Sequence, residues 1–268
     1  MDVHMIDRII SELRADGISV AEGVLSKSEC AAYIRALEGI LTERQRSGVF
    51  VGNERYQVIY NYFQGHPELF GLTYQDITDQ VMSRMIDQDY VLISPSARNR
   101  QLRGAVNNAR PTSGIGWHFD TRSIGHEAKP LRPSPIYFSV VALDDLTEKN
   151  GATFYIPGSH LQYTRPPDRS ADLPSKVLEA KAGSIAFFDA ALWHKVGEPS
   201  DLSRWAIFNM FGPWWMKPYF RFTEMFSPEQ LASFPPKIRQ LLHYDSTPPK
   251  DHTESTITLR RVREQQPE

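Results

Sequence analysis

Cysteine is almost absent: Cys30 is the single thiol in 268 residues. One sulfur closes no intrachain disulfide and builds no zinc site of the CxxC kind. Also absent is any apolar run of the 18 or more residues that a membrane-spanning helix needs. The opening residues Met1-Asp2-Val3-His4 carry no basic stretch ahead of an apolar segment, so no export signal is expected. A lone thiol without an export signal predicts a cytoplasmic protein. Nor is there an excess of positive charge: 30 Lys and Arg stand against 32 Asp and Glu, for a formal net charge of −2. Without a basic field to neutralise phosphates, nucleic acid is not an expected partner, and without an apolar span neither is a membrane.

What is there is ordinary for a globular chain, 41% hydrophobic and 23% charged, and long enough to bury a core without covalent staples. Ile6, Ile9, Ile10 and Leu13 recur at helical spacing and predict a helix over 5–14 that ends near Gly17. Ser26-Lys27-Ser28-Glu29 has the form of a capping box and predicts a second helix to about residue 46, with Tyr33, Ile34, Leu37, Ile40 and Leu41 as its buried stripe. Residues 49–64 read as a hairpin or irregular strands, and Asp76 to Ile86 as a third helix. From residue 90 the texture changes to short runs broken by turn residues: 90–94, 101–106, 115–121, 135–143, 152–156, 176–180, 184–188, 193–196 and 203–211. That spacing predicts a mainly β sandwich or jelly roll with flanking α-helices. We expect one domain over 1–245, helical to about 89 with a β core over about 90–212, and a tail over 246–268.

Four features carry chemistry. His118 and Asp120 stand two apart on a predicted strand, so both side chains share a face. By itself such a pair reads more simply as a hydrogen-bonded couple. His194 opens a later predicted strand, and a jelly roll brings distant strands side by side. Two imidazoles and one carboxylate on one face suit iron(II) and leave positions open for a cosubstrate and oxygen. Arg204, ten residues beyond His194, could grip the far carboxylate of a dicarboxylate cosubstrate with two parallel hydrogen bonds. Asn150-Gly151-Ala152-Thr153-Phe154-Tyr155-Ile156-Pro157-Gly158-Ser159-His160 reads as turn, strand, turn.

The ordered combination, His-x-Asp, then Asn-Gly through Ile-Pro-Gly-Ser-His, then a distal His with Arg ten residues on, resembles the phytanoyl-CoA hydroxylase-like family of iron(II), 2-oxoglutarate-dependent dioxygenases over about residues 7–245. The resemblance implies a double-stranded β-helix (jelly roll, cupin-like), with His118, Asp120 and His194 as iron ligands and catalytic residues, and Arg204 on the distal carboxylate of 2-oxoglutarate. It further implies that Thr153, Gln101 and Asn107 touch the cosubstrate; a lysine that some relatives carry between the last two is missing, with Ala105 near that position. His160 matches a structural histidine of the family. Chlorinating relatives replace the carboxylate with a small residue, so Asp120 disfavours chlorination. The implied reaction is oxidation, chiefly hydroxylation, of a small metabolite or natural-product intermediate using O2. Loop 121–134 carries Arg122, Lys129, Arg132 and His126 against Glu127, which would suit an anionic group on that substrate. Trp193, Phe211, Trp214, Trp215, Tyr219 and Phe222 are candidates for an apolar pocket. Two other readings stay open: a cupin-like metalloenzyme without 2-oxoglutarate, with His160 among its ligands, and a non-catalytic β domain.

Overall fold

Helical periodicity is realised where it is strongest. In the computed structural model, α1 (Val3–Asp16) buries Ile6, Ile9, Ile10 and Leu13 and hands over at Gly17 to β1 (Ile18–Ala21). α2 (Lys27–Arg46) begins at Ser26, whose Oγ accepts from the Glu29 amide while the Glu29 carboxylate accepts from the Ser26 amide at 2.8 Å. Two of the helix's orphan donors are thereby satisfied at no cost in burial. β2 (Gly52–Asn53) and β3 (Tyr56–Tyr60) form the expected hairpin, and α3 (Asp76–Met85) follows. The structure describes residues 3–103, 116–124, 129–131, 133–162, 164–167 and 172–246, with positions 248 and 253; the expectations for Ala105, Asn107, His126, Glu127, Arg132 and most of the tail lie outside these residues.

The β portion comprises β4 (Val91–Asn99), β5 (Ser123–Ile124), β6 (Lys129–Pro130), β7 (Tyr137–Ala142), β8 (Phe154–Tyr155), β9 (Lys176–Val177), β10 (Ile185–Asp189), β11 (His194–Lys195) and β12 (Ala206–Gly212). Seven strands form one antiparallel sheet in the order β1-β10-β7-β12-β4-β3-β2; three more form a second sheet, β11-β8-β9. One face of the large sheet packs Leu92, Val141, Phe187 and Ile207 against the three helices. The opposite face packs Val91, Ile93, Phe138, Val140, Ala186, Phe188 and Met210 together with Leu178, Tyr155 and Val177 from around the small sheet. Two sheets closed over a shared apolar cluster, with helices on the outside, make the double-stranded β-helix expected above. No helix among the described residues is long and apolar enough to cross a membrane. Two short helices not expected from the sequence, α4 (Pro228–Ser233) and α5 (Pro236–Leu241), close the described chain, each opened by a proline whose missing amide costs nothing there.

Three expectations need correction. The run 90–94 instead continues through Pro95 as one strand, β4, that ends at Asn99, and of the run 101–106 the described residues 101–103 lie outside any strand. Pro95 suggested a break; the ladder carries it because the register slips at Ile93, with Leu92 opposite Phe211 and Ser94 opposite Met210. Such a bulge tolerates proline and reverses which residues face inward. Val91 and Ile93 therefore face the inner cluster, and beyond the bulge Arg98 and Arg100 take over that face. The expected strand 115–121 shrinks, among its described residues, to a single antiparallel bridge between His118 and His194. The amides of Asp120 and Thr121 both donate to the Ala190 carbonyl, at 2.7 and 2.9 Å, which turns the chain away. Finally, the candidate aromatics do not line the inner cavity. Phe211 and Phe222 are in the outer core, Trp214 packs on the inner cluster, and Trp215 and Tyr219 are exposed.

Candidate active site

His118 and His194 face each other through paired backbone hydrogen bonds of 3.0 and 2.9 Å. Each ring is oriented by its own neighbourhood: His118 Nδ1 meets the Gly116 carbonyl and His194 Nδ1 the Leu192 carbonyl, both at 2.8 Å. A carbonyl only accepts, so each Nδ1 carries the proton and each Nε2 keeps its lone pair. Between the two Nε2 atoms lies the Asp120 carboxylate, 3.8 Å from His118 and 3.4 Å from His194. One ligand atom from each residue falls within 4.8 Å of the others. That spacing suits three donors each about 2 Å from one ion. Burial pushes the Asp120 carboxyl up, but His194, His118 and Arg98 outweigh it and hold it down to about 2. Burial likewise lowers His194, yet Asp120 and the Leu192 carbonyl raise it overall. Two imidazole lone pairs and a carboxylate held this close converge on one point, where a cation would be favoured. This donor set of two histidines and one carboxylate fits a divalent transition metal.

The same cavity, of about 440 Å³, is lined on its far side by Arg204. This guanidinium is 2% exposed, and among the described residues no carboxylate pairs with it. Its Nη2 donates to Thr153 Oγ1 at 3.4 Å, and its Nε is buried without a partner. Burial above all, then Arg100 and Arg98, pulls Arg204 down to about 9. A buried cation lacking a counterion is costly unless an anion arrives to pair with it. The cavity thus holds both the His118–Asp120–His194 cluster and a buried guanidinium that no carboxylate pairs with among the described residues.

The long turn motif sets this geometry. Asn150, 5% exposed, accepts from the Thr147 amide at 2.9 Å and donates to the carbonyls of Asp145 at 2.6 Å and Ser203 at 3.2 Å. It therefore ties the segment leading to Thr153 against the residue before Arg204. Gly151 sits at φ +79°, with its missing Cβ only 2.5 Å from the Glu198 carbonyl, so any side chain would push this contact apart. At the other end Ser159 Oγ accepts from the Trp193 amide at 2.8 Å and donates to the Ile156 carbonyl at 2.7 Å, fixing the entry to His194. His160 lies outside the cavity, its Nε2 3.3 Å from the Arg14 carbonyl of α1.

Of the other sequence candidates, Thr153 reaches the cavity and Gln101 does not. Gln101 bridges to Ser200, and its side-chain amide donates to the Asp201 carbonyl at 3.0 Å, because β4 has already ended. Asn107 lies outside the described residues. Arg122 stacks over the Tyr219 ring at 4.7 Å rather than lining the cavity. Sequence reasoning missed Asn99, whose Oδ1 accepts from the Arg204 amide at 3.0 Å, and the lining residues Arg98, Arg100, Tyr56, Tyr60, Phe138 and Phe208. The one signal available was the alternation Ser96, Arg98, Arg100, which marks a polar inward face.

Comparison with known proteins agrees with this architecture. An uncharacterised protein of Mycobacterium tuberculosis, Rv1501, is 26% identical over 255 residues, covering 90% of this chain and 88% of its own. Among solved structures, HygX from Streptomyces hygroscopicus, with nickel and 2-oxoglutarate bound, superposes with a TM-score of 0.63 at 14% identity, covering 80% of this chain and 89% of HygX. The non-heme alpha ketoglutarate dependent epimerase SnoN from nogalamycin biosynthesis superposes with a TM-score of 0.60 at 17% identity, covering 79% and 84%. At such identities these structures speak to the fold. The family is carried by the sequence itself: residues 13–204 match the family described as phytanoyl-CoA dioxygenase (PhyH), and the chain belongs to it.

Proposed function

We propose that this protein is an iron(II)- and 2-oxoglutarate-dependent oxygenase that oxidises a C–H bond of a small molecule, most simply by hydroxylation, releasing succinate and CO2. The observation that carries the proposal is the pairing, in one cavity, of the His118–Asp120–His194 cluster with a buried arginine that has no counterion among the described residues. His118, Asp120 and His194 would hold iron, and Arg204 with Thr153 would hold the distal carboxylate of 2-oxoglutarate. Bound together, iron(II) and 2-oxoglutarate supply the oxidising power for C–H cleavage with O2.

The chain's own residues do the rest. The Gly116 and Leu192 carbonyls keep both imidazoles in the ligating tautomer. Phe138, Phe188 and Phe208 line the cavity and keep water from the reacting centre. Asp120 occupies the position that a chlorinating enzyme leaves for halide, which supports oxygenation. HygX and SnoN are named with the same cosubstrate, and the epimerase name of SnoN shows that this fold also hosts outcomes other than hydroxylation.

The test is an anaerobic titration of metal-free protein with iron(II) and then 2-oxoglutarate, followed by visible absorption. A weak charge-transfer band that needs both components and is lost in His194→Ala supports the reading. Stoichiometric iron binding with no band on adding 2-oxoglutarate refutes cosubstrate use and favours a cupin-like metalloenzyme. No specific metal binding by the folded protein refutes the enzyme reading altogether.

A further inference from the structure

We infer that Arg98 is an anchor for an oxyanion, a carboxylate or phosphate, carried by the primary substrate on an apolar body. The inference rests on the oxygenase reading above and concerns a residue that reading does not use.

Charge counting comes first. Among the described lining residues Arg55, Arg98, Arg100 and Arg204 are cationic, and Asp120 is the only carboxylate. A divalent metal and a 2-oxoglutarate dianion cancel each other, and Asp120, which feels Arg98 as well as the two histidines, sets one negative charge against the four guanidiniums. Three positive charges then remain. The nearest help is Glu198, 78% exposed and 3.7 Å from Arg55. A cavity with fully loaded cofactors therefore still holds unbalanced positive charge on half-buried guanidiniums, which favours the entry of another anion.

Geometry then singles out Arg98. In the β4–β12 ladder Arg98 lies opposite Ala206, so its diagonal neighbours on the inner face are Arg204 and Phe208. Like charges packed this closely across strands are destabilising. Arg98 is nonetheless held in place: Nε donates to Ser96 Oγ at 2.9 Å, and the guanidinium lies 4.8 Å over the Phe208 ring. Both terminal nitrogens are without a partner among the described residues. A guanidinium fixed through Nε and by stacking, with its two-pronged end open to the cavity, is a preset fork for an oxyanion. Arg100 is otherwise engaged, donating from Nη2 to the Gly197 carbonyl at 2.9 Å. The surroundings define the rest of the ligand: Phe138 and Phe188 stack at 4.6 Å and, with Phe208 and Tyr60, offer aromatic walls beside the fork.

The test uses protein loaded with zinc(II), which binds the same donors without turnover, and 2-oxoglutarate. Calorimetry first measures metal-dependent 2-oxoglutarate binding in wild type and in Arg98→Gln. Three probes of similar size follow: 3-phenylpropionate, phenyl phosphate and neutral 3-phenylpropanamide. We expect at least one anion to bind about tenfold or more tightly than the amide, the worth of one charge-assisted hydrogen bond. Arg98→Gln should erase that preference, Arg98→Lys should retain part of it, and the 2-oxoglutarate Kd of Arg98→Gln should stay within about threefold of wild type. Whichever anion wins identifies the oxyanion. The inference is overturned if neither anion outbinds the amide, or if the preference survives in Arg98→Gln. It is equally overturned if Arg98→Gln weakens 2-oxoglutarate by about tenfold or more, which would make Arg98 a cosubstrate anchor. Absence of metal-dependent 2-oxoglutarate binding in wild type is a different failure, that of the oxygenase reading itself.

Discussion

Replacing Arg204 with methionine should separate stability from ligand binding, moving them in opposite directions. The arginine is 2% exposed, has no carboxylate partner among the described residues, and makes one side-chain hydrogen bond, a long one of 3.4 Å to Thr153. Methionine has similar length and fills the space without a charge to desolvate. Exchanging buried charge for apolar packing commonly gains about 1–4 kcal/mol. Losing the Thr153 contact and the 5.7 Å approach to the Phe208 ring returns part of that. A net gain of about 1–2 kcal/mol would raise the melting temperature of the ligand-free protein by roughly 2–8 °C for a chain of this size. Binding should move the other way. Two charge-assisted hydrogen bonds to a carboxylate are worth about 3 kcal/mol together, so the 2-oxoglutarate Kd should rise about 100-fold. Thermal melts of metal-free protein by circular dichroism and calorimetric titration with 2-oxoglutarate after metal loading read the two effects separately. A variant that melts lower than wild type while binding 2-oxoglutarate normally would refute the reasoning, because Arg204 would then be a structural cation.

His194→Ala should abolish specific iron(II) binding, whereas His160→Ala, which removes the contact to the Arg14 carbonyl and the packing on Gly17 outside the cavity, should keep iron affinity within about threefold; equal losses in a metal titration would put His160 among the ligands. Gly151→Ala should destabilise by about 2 kcal/mol or more, since a left-handed φ of +79° is combined with a 2.5 Å clash against the Glu198 carbonyl; an unchanged denaturant midpoint would show that the turn adapts freely. Stability should also fall on mild acidification. Burial lowers His243 from its usual value despite the Leu92 carbonyl contact. The unfolded chain therefore takes up a proton near pH 6.5 that the folded chain refuses, and stability rises with pH across that range and is lost below it. Denaturant midpoints measured from pH 7.5 to 5.5 should decline in wild type and decline less in His243→Gln; parallel curves would acquit His243.

The sequence made some of this protein legible because certain rules act locally. Ile6, Ile9, Ile10 and Leu13 can share one face only on a helix, and the Ser26–Glu29 cap needs no tertiary partner. The ordered motifs identified the family for a related reason: His118, Asp120, His194 and Arg204 are a set of residue types, and types are written directly in the sequence. Distances between them are not. The assembly of His118, 76 positions before His194, into one bridge depends on the closure of two sheets, an event no local pattern encodes.

What the tertiary structure decided is which side chains face inward, and one residue governs that outcome. The bulge at Ile93 reverses the alternation along β4, so that Arg98 and Arg100 enter the cavity while Gln101, beyond the strand end, turns to Asp201. Strand periodicity is two, and a single inserted residue inverts every assignment after it. Pro95 hid the strand from sequence reading, and with it the arginine fork. The residue types, the helices and the order of the chemical motifs follow from sequence because they depend on neighbours within a few positions. The facing of the arginines, the closing of the His118–Asp120–His194 cluster and the burial of Arg204 without a counterion among the described residues follow only from strand register and sheet packing, where residues far apart in the chain set one another's surroundings.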